Sequence, residues 1–161
     1  MKRALFPGTF DPPTLGHLDI IQRAASICNK LYVGVAENSN KPSQTLFTTL
    51  ERMAMLQEMT RAMPYVEVVS FSTLVVEFAK QHQIDFLLRG LRAFSDFEYE
   101  FRMALTNRHL SGIETVFLMA DERVAHISST LIRELARYHA PLSTFVPKEI
   151  ALRVAERIAQ S

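Results

Sequence analysis

Short apolar runs alternate along the chain with longer stretches in which apolar residues recur every three or four positions. Ala4-Leu5-Phe6 reads as a first strand, stopped by Pro7-Gly8. Leu15, Leu18, Ile21 and Ala25 then follow helical spacing, with Thr14 placed as N-cap behind Pro12-Pro13. The same alternation predicts strands over 31–36, 66–71, 84–88 and 115–119, the fourth closed by Arg89-Gly90. Helices are expected over about 48–63, ended by Pro64, and over 74–81, 95–110, 128–138 and 148–159, with a polar loop over 37–44.

Strands separated by helices are the signature of an α/β fold, a doubly wound five-stranded parallel sheet covered on both faces, here with C-terminal helices. Such sheets bind ligands beyond the carboxyl ends of their strands. The unusual polar segments fall there: Gly8-Thr9-Phe10 after the first strand, Lys41 after the second, Arg89-Gly90 after the fourth and Ser128-Ser129-Thr130 after the fifth. Without repeat, low-complexity tract or linker, residues 1–161 are expected to form one domain.

Composition narrows the field. A content of 48% hydrophobic and 22% charged residues is ordinary for a globular chain, and a net charge of +1 gives no pull toward nucleic acid or membrane. The basic residues are mostly arginine, the side chain suited to bidentate phosphate contacts or, equally, to surface ion pairs. Cys28 is the only cysteine and sits among helix-spaced apolar residues, as core filler. No apolar run nears the ~20 residues that span a bilayer, and the start of the chain carries no secretory pattern, so a cytoplasmic protein is expected.

Candidate chemistry concentrates at the first helix terminus. Gly8 lets backbone approach a ligand, while Leu15, Gly16 and His17 occupy a first turn whose N–H groups lack intrahelical partners. That terminus is an anion site, and His17 would donate to phosphate oxygens there. A lone histidine would read as a solvated residue of a capped helix. Glycine, threonine, glycine and histidine converging on one terminus favour phosphate.

Gly8-Thr9-Phe10-Asp11-Pro12 with Thr14-Leu15-Gly16-His17 resembles the T/H-x-G-H signature of the nucleotidylyltransferase superfamily, and Ile127-Ser128-Ser129-Thr130-Leu131-Ile132-Arg133 resembles its I-S-S-T-x-x-R motif. Arg89-Gly90-Leu91-Arg92, Asp96-Phe97-Glu98-Tyr99-Glu100 and Asn107-Arg108 are similar to bacterial phosphopantetheine adenylyltransferases, over nearly the whole chain. The resemblance implies a Rossmann-like nucleotidylyltransferase fold and transfer of AMP from ATP to 4′-phosphopantetheine, giving dephospho-coenzyme A and pyrophosphate. It implies that Thr9 and Lys41 hold the acceptor phosphate, that Arg89 makes another contact to that substrate, and that the wall near Leu74 and Val75 meets the pantetheine arm. His17 would stabilise the transition state at the α-phosphate, with Lys41 and Arg92 as further catalytic groups. The ATP site would be drawn from Thr9, Phe10, His17, Gly90, Leu91, Arg92, Glu100, Val124, Ala125, His126, Ile127, Ser128, Ser129 and Thr130. A homohexamer is implied as well.

Each assignment has a plainer rival. Arg89 and Arg92 would pair with Asp96 and Glu98; Glu100 would be an exposed helix residue; Ser128 would be an N-cap; Arg133 would lie on the surface or reach phosphates. Phe97, Tyr99 and Phe101 would be core or a subunit contact. Val124 stands where the family commonly carries an aromatic residue. The histidines lack metal-ligand spacing, so Mg2+ is expected to travel with ATP on few or no direct protein ligands. Rival acceptors are nicotinate mononucleotide and, with CTP, glycerol 3-phosphate. A non-catalytic nucleotide-binding module is the rival of a different class.

Overall fold

The computed structural model describes residues 1–37 and 45–160. Lys41 and most of the polar loop expected over 37–44 lie outside the described residues. Five parallel strands form one sheet, β1 (Arg3–Gly8), β2 (Lys30–Ala36), β3 (Val66–Phe71), β4 (Phe86–Leu91) and β5 (Glu114–Met119), in the spatial order β3-β2-β1-β4-β5. The helices are α1 (Leu15–Ala24), α2 (Thr49–Thr60), α3 (Val75–Gln81), α4 (Phe94–Ser111), α5 (Ser129–Arg137) and α6 (Lys148–Ala159).

Alternate residues of the strands feed two separate cores, as the period of a strand requires. Ala4, Phe6, Phe86 and Leu88 pack with Ile20, Ile21 and Ala24 of α1 and Leu56 of α2. Leu5 and Leu87, pointing the other way, pack with Phe78 and Ala79 of α3. A third cluster joins Phe47 and Met55 to Ile127, Ile132, Ile150 and Val154, and fixes α5 and α6 beside α2. Leu5, Leu31, Leu56 and Leu88 are fully buried, each contributing roughly 1.5–3 kcal/mol. Cys28 is buried too, its thiol donating to Ala24 O at 3.3 Å, and burial raises its pKa.

Two strands run further than the sequence pattern suggests. Pro7 and Gly8 do not stop β1, and Arg89-Gly90 do not close β4, which continues to pair with β5 through Leu91↔Met119. Pro7 is tolerated because β1 pairs with β2 along its whole length but with β4 only at Ala4↔Phe86 and Leu5↔Leu87. Beyond Leu5 the two central strands part, so the N–H that proline lacks has no ladder bond to make on that side. The parting occurs at the point where strand order reverses, and it opens the crevice that such sheets use for ligands. Gly90 faces the rear of this opening. A methyl group there would stand 3.0 Å from Ile20 Cγ1, so glycine is what lets β4 lie this close to α1.

Helix ends follow their caps. Thr48 and Glu51 form a capping box that starts α2 at Thr49, and Ser128 Oγ accepts from Leu131 N–H at 3.1 Å to start α5. Gly112, at φ 74°, ends α4 in the left-handed conformation. No helix among the described residues is long and apolar enough to cross a membrane.

Candidate active site

Thr14 caps α1 and, with His17, closes a capping box in which histidine takes the part usually played by glutamate or glutamine. His17 N–H donates to Thr14 Oγ1 at 3.4 Å, and Thr14 N–H donates to His17 Nδ1 at 3.0 Å. A backbone N–H can only donate, so Nδ1 is the accepting nitrogen and the ring proton belongs on Nε2. Burial first, then the charges of Arg92 and Arg89, lower the imidazole pKa from 6.5 to about 4. His17 is therefore neutral at physiological pH and presents an N–H donor, although it keeps part of its surface open to the cleft.

The first turn of α1 holds fewer free donors than the sequence implies. Leu15 N–H is taken by Phe145 O at 3.0 Å, and the N–H groups of Thr14 and His17 are spent in the box. Gly16 N–H has no partner among the described residues, so the donors free for the expected anion narrow to this group and His17 Nε2–H. A methyl on Gly16 would meet Thr14 Oγ1 and Val124 O at an ordinary 3.5 Å. Protein packing does not demand glycine there; the open side of the residue faces the cleft.

Phe10 adopts φ 53°, rare for an aromatic residue, and is 2% exposed. Its ring meets the His17 ring edge-on at 4.9 Å and lies over Gly8, where a methyl group would stand 2.9 Å from Phe10 Cζ. The motif glycine thus makes room for an aromatic support under the histidine.

A second helix terminus faces the first. Ser129 Oγ donates to Pro12 O at 2.7 Å, and Arg133 donates to Asp11 O at 2.5 Å. The N–H groups of Ser129 and Thr130 have no partners among the described residues, and both residues line the same cleft as Gly16 and His17. Two helix dipoles therefore direct their positive ends into one space. Arg133 is committed to the Asp11 carbonyl, to the Asp11 carboxylate at 3.7 Å and to Thr130 Oγ1 at 3.2 Å. It holds the two motifs together rather than lying on the surface.

The opposite wall carries paired charges. Arg92 and Asp96 meet through two bonds of 3.0 and 3.1 Å, as the plainer reading anticipated. Arg89 departs from that reading: its partner is Glu100, at 2.7 and 2.5 Å, and it also donates to Pro7 O. Glu98 pairs with Arg102 instead. Glu100 is partly buried, not a free helix residue, and it aims Arg89 across the gap where β1 and β4 part.

The cleft encloses about 650 Å³ and continues into a smaller chamber of about 310 Å³. Thr9, Arg89 and Glu100 border both spaces. Helix termini and charged pairs line the larger one. Val75, Phe71, Met103 and Asn107 give the smaller one an apolar wall with a polar end.

Of the residues singled out in the sequence, Thr9, Phe10, His17, Arg89, Gly90, Arg92, Glu100, Ile127, Ser128, Ser129 and Thr130 line the large chamber, and Val75 the small one. Leu91 is buried in the core, Val124 packs against the C-terminal cluster, and Ala125 and His126 stand outside the cleft wall. His126 is exposed, its ring 6.0 Å from that of Phe145. Two residues escaped the sequence reading. Asp11, 2% exposed, accepts from Leu46 N–H at 2.7 Å and Phe47 N–H at 2.9 Å. Arg52, also 2% exposed, reaches the Thr9 and Ala36 carbonyls. Asp11 lay within a quoted motif, whereas a single arginine on a helix carries no such signal.

Comparison with known proteins identifies a family for the chain. Residues 5–135 match the cytidylyltransferase-like family model. A phosphopantetheine adenylyltransferase of Opitutus terrae is 48% identical over 94% of both chains. Those of Caldanaerobacter subterraneus and Aquifex aeolicus are each 44% identical, over the full length of both chains and over 97% and 96% of them, respectively. The crystal structure of the lipopolysaccharide core biosynthesis protein from Thermoplasma volcanium superposes with a TM-score of 0.55 at 21% identity, covering 75% of this chain and 97% of that one, and shares the fold. Sequence identity at this level along the whole chain places the protein in the phosphopantetheine adenylyltransferase family.

Proposed function

We propose that the protein transfers the adenylyl group of ATP to the phosphate of 4′-phosphopantetheine, releasing pyrophosphate and forming dephospho-coenzyme A. The observation that carries this reading is the two-chambered cleft. Its large polar chamber, faced by the α1 and α5 termini, suits a triphosphate; its smaller apolar chamber suits a pantetheine arm; Thr9 stands where they meet.

In this reaction an acceptor phosphate oxygen forms a bond to the α-phosphorus while the bond from that phosphorus to the β-phosphate bridging oxygen breaks. The nucleophile is already an anion, so no base is required, and positioning with charge stabilisation does the work. His17, neutral and protonated on Nε2, donates to a non-bridging α-phosphate oxygen as charge builds there, beside Gly16 N–H. The N–H groups of Ser129 and Thr130 receive the β- and γ-phosphates. Arg92 completes the charge balance, and Arg89, aimed by Glu100, faces the acceptor with Thr9. Lys41, outside the described residues, is assigned to the acceptor phosphate by the resemblance alone.

No trio of acidic, histidine or cysteine side chains among the described residues could hold a metal, and the carboxylates lining the cleft, Asp96 and Glu100, are each tied to an arginine. That donor set fits an Mg2+ carried by the nucleotide phosphates with few protein ligands. When bound, the ion supplies neutralisation of charge on the departing pyrophosphate. The exposed rings of Phe94, Phe97 and Phe101 along α4 are suited to a subunit contact. A homohexamer is what the family resemblance implies, and a cytoplasmic location belongs to the same reading.

Pyrophosphate release, measured with ATP and each acceptor in turn, tests the assignment. Turnover is expected with 4′-phosphopantetheine and not with nicotinate mononucleotide, nor with glycerol 3-phosphate and CTP. Absence of turnover with 4′-phosphopantetheine, or faster turnover with a rival pair, would overturn it.

A further inference from the structure

Among the described residues Arg52 is the largest fully buried side chain, and it is charged. Burying a guanidinium costs free energy unless it is paired, and a well-packed apolar residue would serve a core position better. What Arg52 touches explains its presence. One terminal nitrogen donates to Thr9 O at 2.6 Å and to Ala36 O at 3.2 Å; the other donates to Thr49 Oγ1 at 2.9 Å. Its Nε is buried without a partner among the described residues, so the side chain is not optimised for its own hydrogen bonding. The carboxylates of Asp11 and Glu37 supply the opposing charge.

Those contacts join the C-terminal ends of β1 and β2 at the mouth of the cleft. The Thr9 carbonyl belongs to the peptide that leads into Phe10, the left-handed residue beneath His17. A backbone held at such a dihedral persists only where its surroundings over-determine it. On the same side, Asp11 fastens Leu46 and Phe47 through both carboxylate oxygens. The chain on either side of residues 38–44, which include Lys41, is thus tied to the Thr9–Asp11 turn: Ala36 through Arg52, Leu46 and Phe47 through Asp11.

We propose that Arg52 is a positioning residue for the acceptor phosphate, acting through the Thr9 carbonyl to hold the Thr9 side chain where the two chambers meet. The inference rests on the reading of Thr9 as an acceptor-site residue. Lysine keeps the charge but has one nitrogen in place of the fork, and cannot hold two carbonyls and a hydroxyl in one plane. In Arg52→Lys the KM for 4′-phosphopantetheine rises about tenfold while the KM for ATP stays within about twofold. Thr49→Ala, which frees one arm of the guanidinium without disturbing its burial, gives the same pattern at about threefold, and serves if the lysine variant does not fold.

The decisive readout is the double-mutant cycle with Thr9→Ala. If Arg52 acts through Thr9, then Arg52→Lys, or Thr49→Ala in its place, has little further effect on the acceptor KM in the Thr9→Ala enzyme. Equal fold-effects in both backgrounds, or a matching rise in the ATP KM, overturn the proposal and reduce Arg52 to a structural anchor. A Thr9→Ala enzyme with an unchanged acceptor KM overturns it too, by removing the assignment of Thr9 on which it stands.

Discussion

Replacing His17 by alanine removes two interactions that can be separated. The first is the Nε2–H donor to the α-phosphate, whose loss at comparable sites raises the barrier by about 3 kcal/mol, on the order of a hundredfold in turnover. The second is the acceptor for Thr14 N–H in the capping box. Losing a cap costs about 1 kcal/mol, which for a chain of this size lowers the melting temperature by roughly 2–4 °C. His17→Gln distinguishes the two, because glutamine at this helical position restores the box and not the imidazole. Pyrophosphate release at saturating substrates, with thermal unfolding alongside, is expected to show both variants about a hundredfold slow and only the alanine variant destabilised. Turnover of His17→Ala within threefold of the parent would refute the donor role. Recovery of turnover in His17→Gln would show that the imidazole itself is dispensable, the amide N–H of glutamine then serving as the donor.

The same residue makes stability depend on pH. Its folded pKa of about 4 lies below the unfolded 6.5, so the unfolded chain binds the extra proton and stability falls as pH drops from about 6.5 toward 4. The His17 share is at most about 3 kcal/mol, and denaturant unfolding of parent and His17→Gln at both ends of that window should show the parent losing more; equal losses would refute it. Gly8→Ala places a methyl 2.9 Å from Phe10 Cζ, so the ring that supports His17 must move. A stability loss of about 1–3 kcal/mol with a fall in kcat is expected, and unaltered kcat would uncouple Phe10 from the chemistry. Phe97→Asp with Phe101→Asp on α4 should reduce the sedimenting mass. A parent that already sediments at 18.3 kDa would remove the assembly.

The sheet was legible because its strands are short apolar runs with helical periods between them, and because Thr14, Thr48 and Ser128 are recognisable caps. Ends set by tertiary pairing were not. Pro7 and Gly90 look like terminators, yet neighbouring strands carry β1 and β4 through them, since backbone bonds to a parallel partner outweigh local propensity. His17, Ser129 and Arg89 were singled out because phosphate chemistry needs such groups at such ends, and they line one cleft. What Arg89 pairs with was not, since Glu98 and Glu100 differ only in which side of α4 faces the sheet. Arg52 was invisible: an arginine on an amphipathic helix reads as solvated unless the carbonyls it reaches are known.

A crystal structure with ATP and 4′-phosphopantetheine bound together tests the central claim most directly. The account requires the α-phosphate between the two helix termini, one of its non-bridging oxygens about 3 Å from His17 Nε2 and the acceptor phosphate beside Thr9. An α-phosphate turned away from His17, or an acceptor bound outside the chamber lined by Val75 and Met103, would contradict it.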